Sequence, residues 1–185
     1  MTTPPIQNIA VIGLGTIGHS VAQVYAAAGC TVKCFDPDTT AGASLADRVR
    51  TNLKQMSAAG LSSLDDIETI VSRFVICDNE AEAVSGVGFV SEAAAEDLAI
   101  KQALFSRLEN HIDRHTILAS NTSTYPMTQI SRDMIHPDRA LVTHPFNPPH
   151  LLPIIEVVPG ESTSEQTVSA AMAVSYTHLR AHETR

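Results

Sequence analysis

Residues 11–18 read VIGLGTIG, an octet in which Gly13, Gly15 and Gly18 stand in G-x-G-x-x-G spacing between runs of opposite character. Residues 6–12 before it read as a strand, and residues 17–28 after it carry helical periodicity. In a strand–turn–helix that binds a dinucleotide, each glycine has a physical task. Gly13 makes the tight turn, Gly15 lets the backbone approach a pyrophosphate, and Gly18 lets the helix pack closely on the strand. Thr16 and Ile17 lie at the helix N-terminus, where unpaired amides and the positive end of the helix dipole favour phosphate. A bare turn without a ligand uses the same glycines, so the spacing alone is weak.

The next strand strengthens it. TVKCFD ends in Asp36, about 20 residues beyond the glycines, where a carboxylate accepts hydrogen bonds from the adenosine ribose hydroxyls. A 2′-phosphate is repelled there, Lys33 lies within the strand, and no arginine directly follows Asp36. NAD is therefore the expected cofactor, in preference to NADP.

The alternation then continues along the chain. Gly29 can close the first helix in a left-handed cap, and Pro37 with Asp38 opens a long helix through Leu45, Val49, Leu53 and Met56 to Gly60. A shorter helix is expected over 64–71. Strands RFVICD, GVGFVSEA, HTILAS, RALVTH and IIEVV follow, separated by the helical turn AEAV, a helix over 97–108 and a turn over 127–130. This pattern predicts an α/β fold: a Rossmann-like, doubly wound, mostly parallel sheet with helices on both faces. No repeat or linker divides residues 1–174, which are expected to form one domain ending in the helix SEQTVSAAMAV. Residues 175–185, SYTHLRAHETR, change composition abruptly and read as a non-native tail.

Composition narrows the function classes. The chain has 185 residues, 44% of them hydrophobic, and a net charge of −8, enough for a real core but without the basic surface that nucleic acids or anionic membranes need. Cys30, Cys34 and Cys77 are odd in number and follow neither disulfide nor zinc spacing, so they read as core residues in a reducing compartment, with no metal site. MTTPPIQN lacks the features of an export signal, and no apolar segment approaches membrane-spanning length. A soluble cytoplasmic protein is expected.

Two further stretches carry chemistry. ASNTSTYP follows a strand, so Ser123 should lie at the carboxyl edge of the sheet, where ligands bind in open α/β folds; the bland alternative is a turn cap. In HPFNPPHLLPIIEVV, residues 144–158, His144 ends a strand, Pro145, Pro148 and Pro149 stiffen the connection, and Glu156 sits among β-branched residues as a charge expected to be buried. Two strands joined by this loop can return the carboxylate to the imidazole, making His144 a base and Glu156 its orienter. With NAD bound, the economical reaction is alcohol oxidation, in which His144 takes the hydroxyl proton, Ser123 holds the reacting oxygen and Asn147 holds the nicotinamide amide.

Taken together, GLGTIG with Asp36, VSEAAAEDLAIKQALF, SNTST and HPFNPPHLLPIIEVV resemble, in order and spacing over about residues 6–174, the NAD-binding domain of the 3-hydroxyacyl-CoA dehydrogenase family. The resemblance implies that His144 is the catalytic base, Glu156 its partner, Ser123 a substrate-contacting hydroxyl, and Asn147 the residue completing the group. It further implies that Glu96 and Lys101 lie near the nicotinamide ribose and substrate, where the residues alone would read as solvated first-turn charges. Its acyl-CoA members carry HFFNP where this chain has HPFNP, which is more similar to the branch oxidising small polar 3-hydroxy compounds such as L-gulonate or L-carnitine. In the family a helical domain follows, builds a homodimer and adds a catalytic asparagine. This chain is accordingly expected to bind NAD, to turn over slowly by itself and to expose apolar surface. The competing expectation is a module that only binds the dinucleotide, with His144 and Glu156 as a structural contact.

Overall fold

A computed structural model describes residues 6–61, 67–152 and 154–178. A seven-stranded sheet runs in the order β3-β2-β1-β4-β5-β6-β7, from β1 (Asn8–Ile12), β2 (Thr31–Phe35), β3 (Phe74–Ile76), β4 (Phe89–Glu92), β5 (Ile117–Ser120), β6 (Ala140–Pro145) and β7 (Ile155–Pro159). Strands β1 to β6 pair in parallel, and β7 closes the edge antiparallel to β6. The order reverses at β1, so β1→β2 and β1→β4 diverge around the glycine octet. That divergence is the crevice where ligands sit in doubly wound sheets.

Helices cover both faces. Ile9 and Val11 point into one apolar cluster with Val21 and Tyr25 of α1 (Gly18–Ala27), while Ala10 and Ile12 point into another with Leu104 and Phe105 of α6 (Leu98–Leu108). A strand buried on both sides has no polar face to show, which is why this one reads as a near-continuous apolar run. Cys30, Cys34 and Cys77 are buried, and burial pushes the Cys30 thiol up to about 11.

The long helix expected after Asp38 is divided into α2 (Thr39–Ala43) and α3 (Leu45–Ala58). At the junction the Ser44 hydroxyl donates to the Thr40 carbonyl at 2.8 Å, and Arg48 takes the Ala41 carbonyl at 2.7 Å. The Thr40 carbonyl still accepts the Ser44 amide at 3.0 Å, but the Ala41 carbonyl, next in the helix ladder, is taken by the Arg48 and Ser44 side chains, so side chains compete with backbone and the axis breaks. Of the helix expected over 64–71, residues 62–66 lie outside the described residues and α4 covers Ile67–Val71. Turns over α5 (Glu80–Val84) and α7 (Met127–Ile130) lie where the pattern places them. The last helix, α8, spans Glu165–His178 and so runs past Val174, with Ser175 buried; residues 179–185 lie outside the described residues. Among the described residues, no helix is long and apolar enough to cross a membrane.

Candidate active site

The glycine octet forms the strand–turn–helix that the spacing predicts. Gly13 has φ +92°, and a Cβ there would meet the Ala93 carbonyl oxygen at 2.5 Å and the Ala94 nitrogen at 2.8 Å, so only glycine lets β1 turn against the end of β4. At Gly18 a Cβ would collide with the Gly13 carbonyl oxygen, which makes this residue the close-packing point of helix on strand. Gly15 differs: a Cβ there meets nothing within 4 Å, and Gly15 and Thr16 are exposed while Ile17 packs partly inward. The open side of the turn therefore lies at the start of α1, where backbone can contact a ligand directly.

Asp36, just beyond β2, faces the same turn. Its Oδ2 accepts from the Leu14 amide at 2.6 Å and its Oδ1 from the Asp38 amide at 2.8 Å. Each oxygen keeps a lone pair, so the carboxylate is fixed in place and still able to accept from a sugar hydroxyl. The open face at Gly15 and this pinned acid fit a dinucleotide. Sequence reading did not place an arginine here, yet Arg48 of α3 reaches the turn, donating to the Leu14 carbonyl at 2.8 Å and to that of Ala41. Both terminal nitrogens are committed to main chain, which makes Arg48 a brace for the turn. The signal that could have found it is its place on the inner face of α3, one residue before Val49.

Asp36→Ala tests the acid. It removes hydrogen bonds to a charged acceptor, each worth about 1.5–3 kcal/mol, so NADH affinity should fall about tenfold to a hundredfold and the preference over NADPH should narrow. Unchanged NADH titrations would remove Asp36 from the site.

At the other end of the sheet, β6 and β7 place His144 directly opposite Glu156, with Nδ1 2.9 Å from Oε2. A carboxylate only accepts, so Nδ1 carries the hydrogen and the neutral ring presents a bare Nε2. That is the state of a general base. Glu156 is not the buried charge the sequence suggested: its side chain is 37% exposed, because β7 is an edge strand. Phe146 lies against the imidazole, with ring centroids 5.9 Å apart.

Between these two centres lies an ionic cluster. Lys101 is fully buried rather than solvated, its Nζ 2.7 Å from Glu92 Oε1 and 3.3 Å from Glu96 Oε2. Glu96 precedes α6, outside its first turn, and accepts from the Thr122 hydroxyl at 2.5 Å. Burial would raise the Glu96 carboxyl, but Thr122 and Lys101 outweigh it and hold it below the usual carboxylate range. Glu92, which sequence reading passed over, is buried and accepts from the Ala94 amide and the Ser120 hydroxyl as well as Lys101. Its signal was a lone acid ending an apolar strand.

Ser123 and Asn147 are exposed on the loops after β5 and β6, flanking the same edge. The Thr122 hydroxyl shapes the first loop by accepting from the Thr124 and Tyr125 amides. The second is tied to α1 by His150, whose Nδ1 lies 3.1 Å from Ser20 Oγ. The structure thus brings together His144 with Glu156, Asp36 with the glycine turn, and Glu96 with Lys101, and puts Ser123 and Asn147 on adjoining loops.

A family model described as the NAD-binding domain of 3-hydroxyacyl-CoA dehydrogenase matches residues 8–180. Lambda-crystallin of Oryctolagus cuniculus is 30% identical over 175 residues, 94% of this chain and 55% of that protein. An L-carnitine dehydrogenase of Streptomyces coelicolor is 34% identical over 172 residues, 92% of this chain and 53% of its own length. Among solved structures, FadB2 of M. tuberculosis superposes with a TM-score of 0.92 at 28% identity, covering 98% of this chain and 64% of that one. The chain thus spans about half the length of the curated relatives it matches.

Proposed function

The chain belongs to the 3-hydroxyacyl-CoA dehydrogenase family, as its NAD-binding domain, and on that premise we propose that it serves NAD-dependent oxidation of a 3-hydroxy acid, free or as a CoA thioester, to the 3-keto product. The observation that carries this reading is the His144–Glu156 pair, with Nδ1 2.9 Å from Oε2, at the carboxyl edge of the sheet that carries the glycine turn. A module that only binds the dinucleotide has no use for an imidazole oriented by a carboxylate at that edge.

When bound, NAD supplies the carbon that accepts hydride. His144 Nε2 would take the substrate's hydroxyl proton, and the Glu156 carboxylate, 2.9 Å from Nδ1, would stabilise the resulting imidazolium. Ser123 would donate to the reacting oxygen, and Asn147 and Glu96 would hold the nicotinamide end of the cofactor. Gly13, Gly15, Thr16, Ile17 and Gly18 would cradle the pyrophosphate, and Asp36 would hold the adenosine ribose. These groups supply geometry, a large part of such catalysis.

Phe146, Leu151, Leu152 and Val158 are exposed apolar residues on the β6–β7 loop and β7. Such a patch suits burial against further protein, and we assign it to the dimeric, two-domain assembly expected of the family. The test is a panel of 3-hydroxy acids and their CoA thioesters, with NAD reduction followed by absorbance on the product of the complete reading frame. Turnover of either group supports the reading, and the HPFNP sequence favours the small free acids. Inertness toward both classes contradicts it.

A further inference from the structure

We propose that His150 and Ser20 form a latch holding the β6–β7 loop against α1, which makes both of them positioning residues for His144 and Asn147. The proposal rests on the NAD-dependent reading above and gives a task to a contact that this reading leaves unused.

The loop after His144 carries Phe146 and Asn147, both exposed, before β7 brings Glu156 back to the imidazole. Its main-chain hydrogen bonds stay within it. The Leu151 and Leu152 amides donate to the Pro148 carbonyl at 3.0 and 2.9 Å, the Ile154 amide to Leu152 at 2.7 Å, and the Phe146 amide to Ile154 at 3.0 Å. Phe146, Leu151, Leu152 and Ile154 are exposed, so they do not pin the loop to the sheet. Among the described residues, the one side-chain hydrogen bond from this loop to another element is that of His150 to Ser20, with Nδ1 3.1 Å from Oγ. The internal bonds give the loop its shape, and the His150 bond gives it its place.

Ser20 is a firm anchor. It is 1% exposed and stands two residues beyond Gly18, the point at which α1 packs on the turn. Its neighbour His19 donates from Nδ1 to the Gly15 carbonyl at 2.9 Å, and His19 Nε2 lies 3.3 Å from Asn52 Nδ2 of α3 and 3.4 Å from Ser20 Oγ. A polar network therefore runs from Gly15, the open residue of the glycine turn, along the start of α1 to the loop that leaves His144. Burial lowers both His19 and His150 from the ordinary histidine value, so at neutral pH the latch joins uncharged groups. Such a bond is directional, and it fixes where the loop lies relative to the helix that follows the turn. Hydride and proton transfer need that alignment, since a misplacement of about 1 Å can cost about a hundredfold in rate. His150 Nε2 has no hydrogen bond among the described residues, so a direct role toward a ligand would fall to that nitrogen and the latch to the other.

The test combines steady-state kinetics, NADH titration and melting for variants of the product of the complete reading frame, with the best substrate of the panel above. Ser20→Ala removes a single oxygen from a helix, and His150→Ala removes the ring. Each should lower kcat about tenfold, the scale of one net hydrogen bond, and leave NADH affinity within about threefold of wild type. Together they should cost no more than either one, because both break the same bond. His150→Asn places an amide group where Nδ1 stands and should restore most of kcat, whereas His150→Gln, whose amide reaches the place of Nε2, should behave like the alanine variant. The reverse order, glutamine active and asparagine not, would mean that Nε2 touches a ligand, and would overturn the latch. So would losses that multiply in the double variant, or a lowered Tm with kcat unchanged. A wild-type protein inert toward the whole panel removes the dehydrogenase reading and this proposal with it. An active one whose kcat is unmoved by Ser20→Ala removes the latch alone.

Discussion

His144→Ala should lower kcat for 3-hydroxy acid oxidation by about a thousandfold, within the range that loss of a positioned general base produces, while NADH affinity stays within about twofold of wild type. The separation follows from the sheet. The glycine turn and Asp36 sit on β1 and β2, whereas His144 sits on β6, with β4 and β5 between them. The imidazole is also 31% exposed, so its removal opens no buried cavity and costs little stability. Glu156→Gln should be milder, about tenfold to a hundredfold, because the amide oxygen still accepts from Nδ1 but no longer stabilises the imidazolium. Steady-state kinetics and NADH titration of the same preparations check both variants. If instead melting temperature falls and turnover does not, the pair is a structural contact.

The second prediction separates two glycines that look alike in sequence. Gly13→Ala forces a side chain onto a backbone with φ +92° and against the Ala93 carbonyl at 2.5 Å, so either β1 or the end of β4 must move. Strain of this kind costs several kcal/mol of a total of about 5–15 kcal/mol, and Tm should drop by about 10 °C. Gly15→Ala places its methyl in open space and should leave Tm unchanged. Its effect belongs to the cofactor: the methyl occupies the approach to the pyrophosphate, and NADH affinity should fall at least about tenfold. Circular dichroism melts beside NADH titrations give the two readouts. A Gly15→Ala variant that binds like wild type would mean that this open space is not ligand space.

The contrast also shows what a one-dimensional reading can reach. The octet, Asp36 and the alternation of strands and helices are local signals, and the sheet follows them closely. His144 and Glu156 are 12 residues apart on consecutive strands, close enough in sequence for their pairing to be inferred. What escaped depends on distant partners. Lys101 reads as a solvated charge until β4 brings Glu92 beneath it, and the His150–Ser20 contact joins residues 130 apart. The break at Ser44 escaped because apolar spacing records which face is buried, not whether a carbonyl has been captured by a serine or an arginine. Glu156 reads as buried because its neighbours are β-branched, a pattern that an edge strand shares with a central one.

The most direct experiment is isotope transfer in the reductive direction. The product of the complete reading frame is incubated with NADH deuterated at the nicotinamide C4 and a panel of 3-keto acids and their CoA thioesters, and the 3-hydroxy products are analysed by mass spectrometry. The expected product carries deuterium on the carbon bearing the new hydroxyl, formed by wild type and almost absent with His144→Ala. Absence of a deuterated product from wild type, or its undiminished formation by the alanine variant, would contradict a hydride-transfer site built around His144.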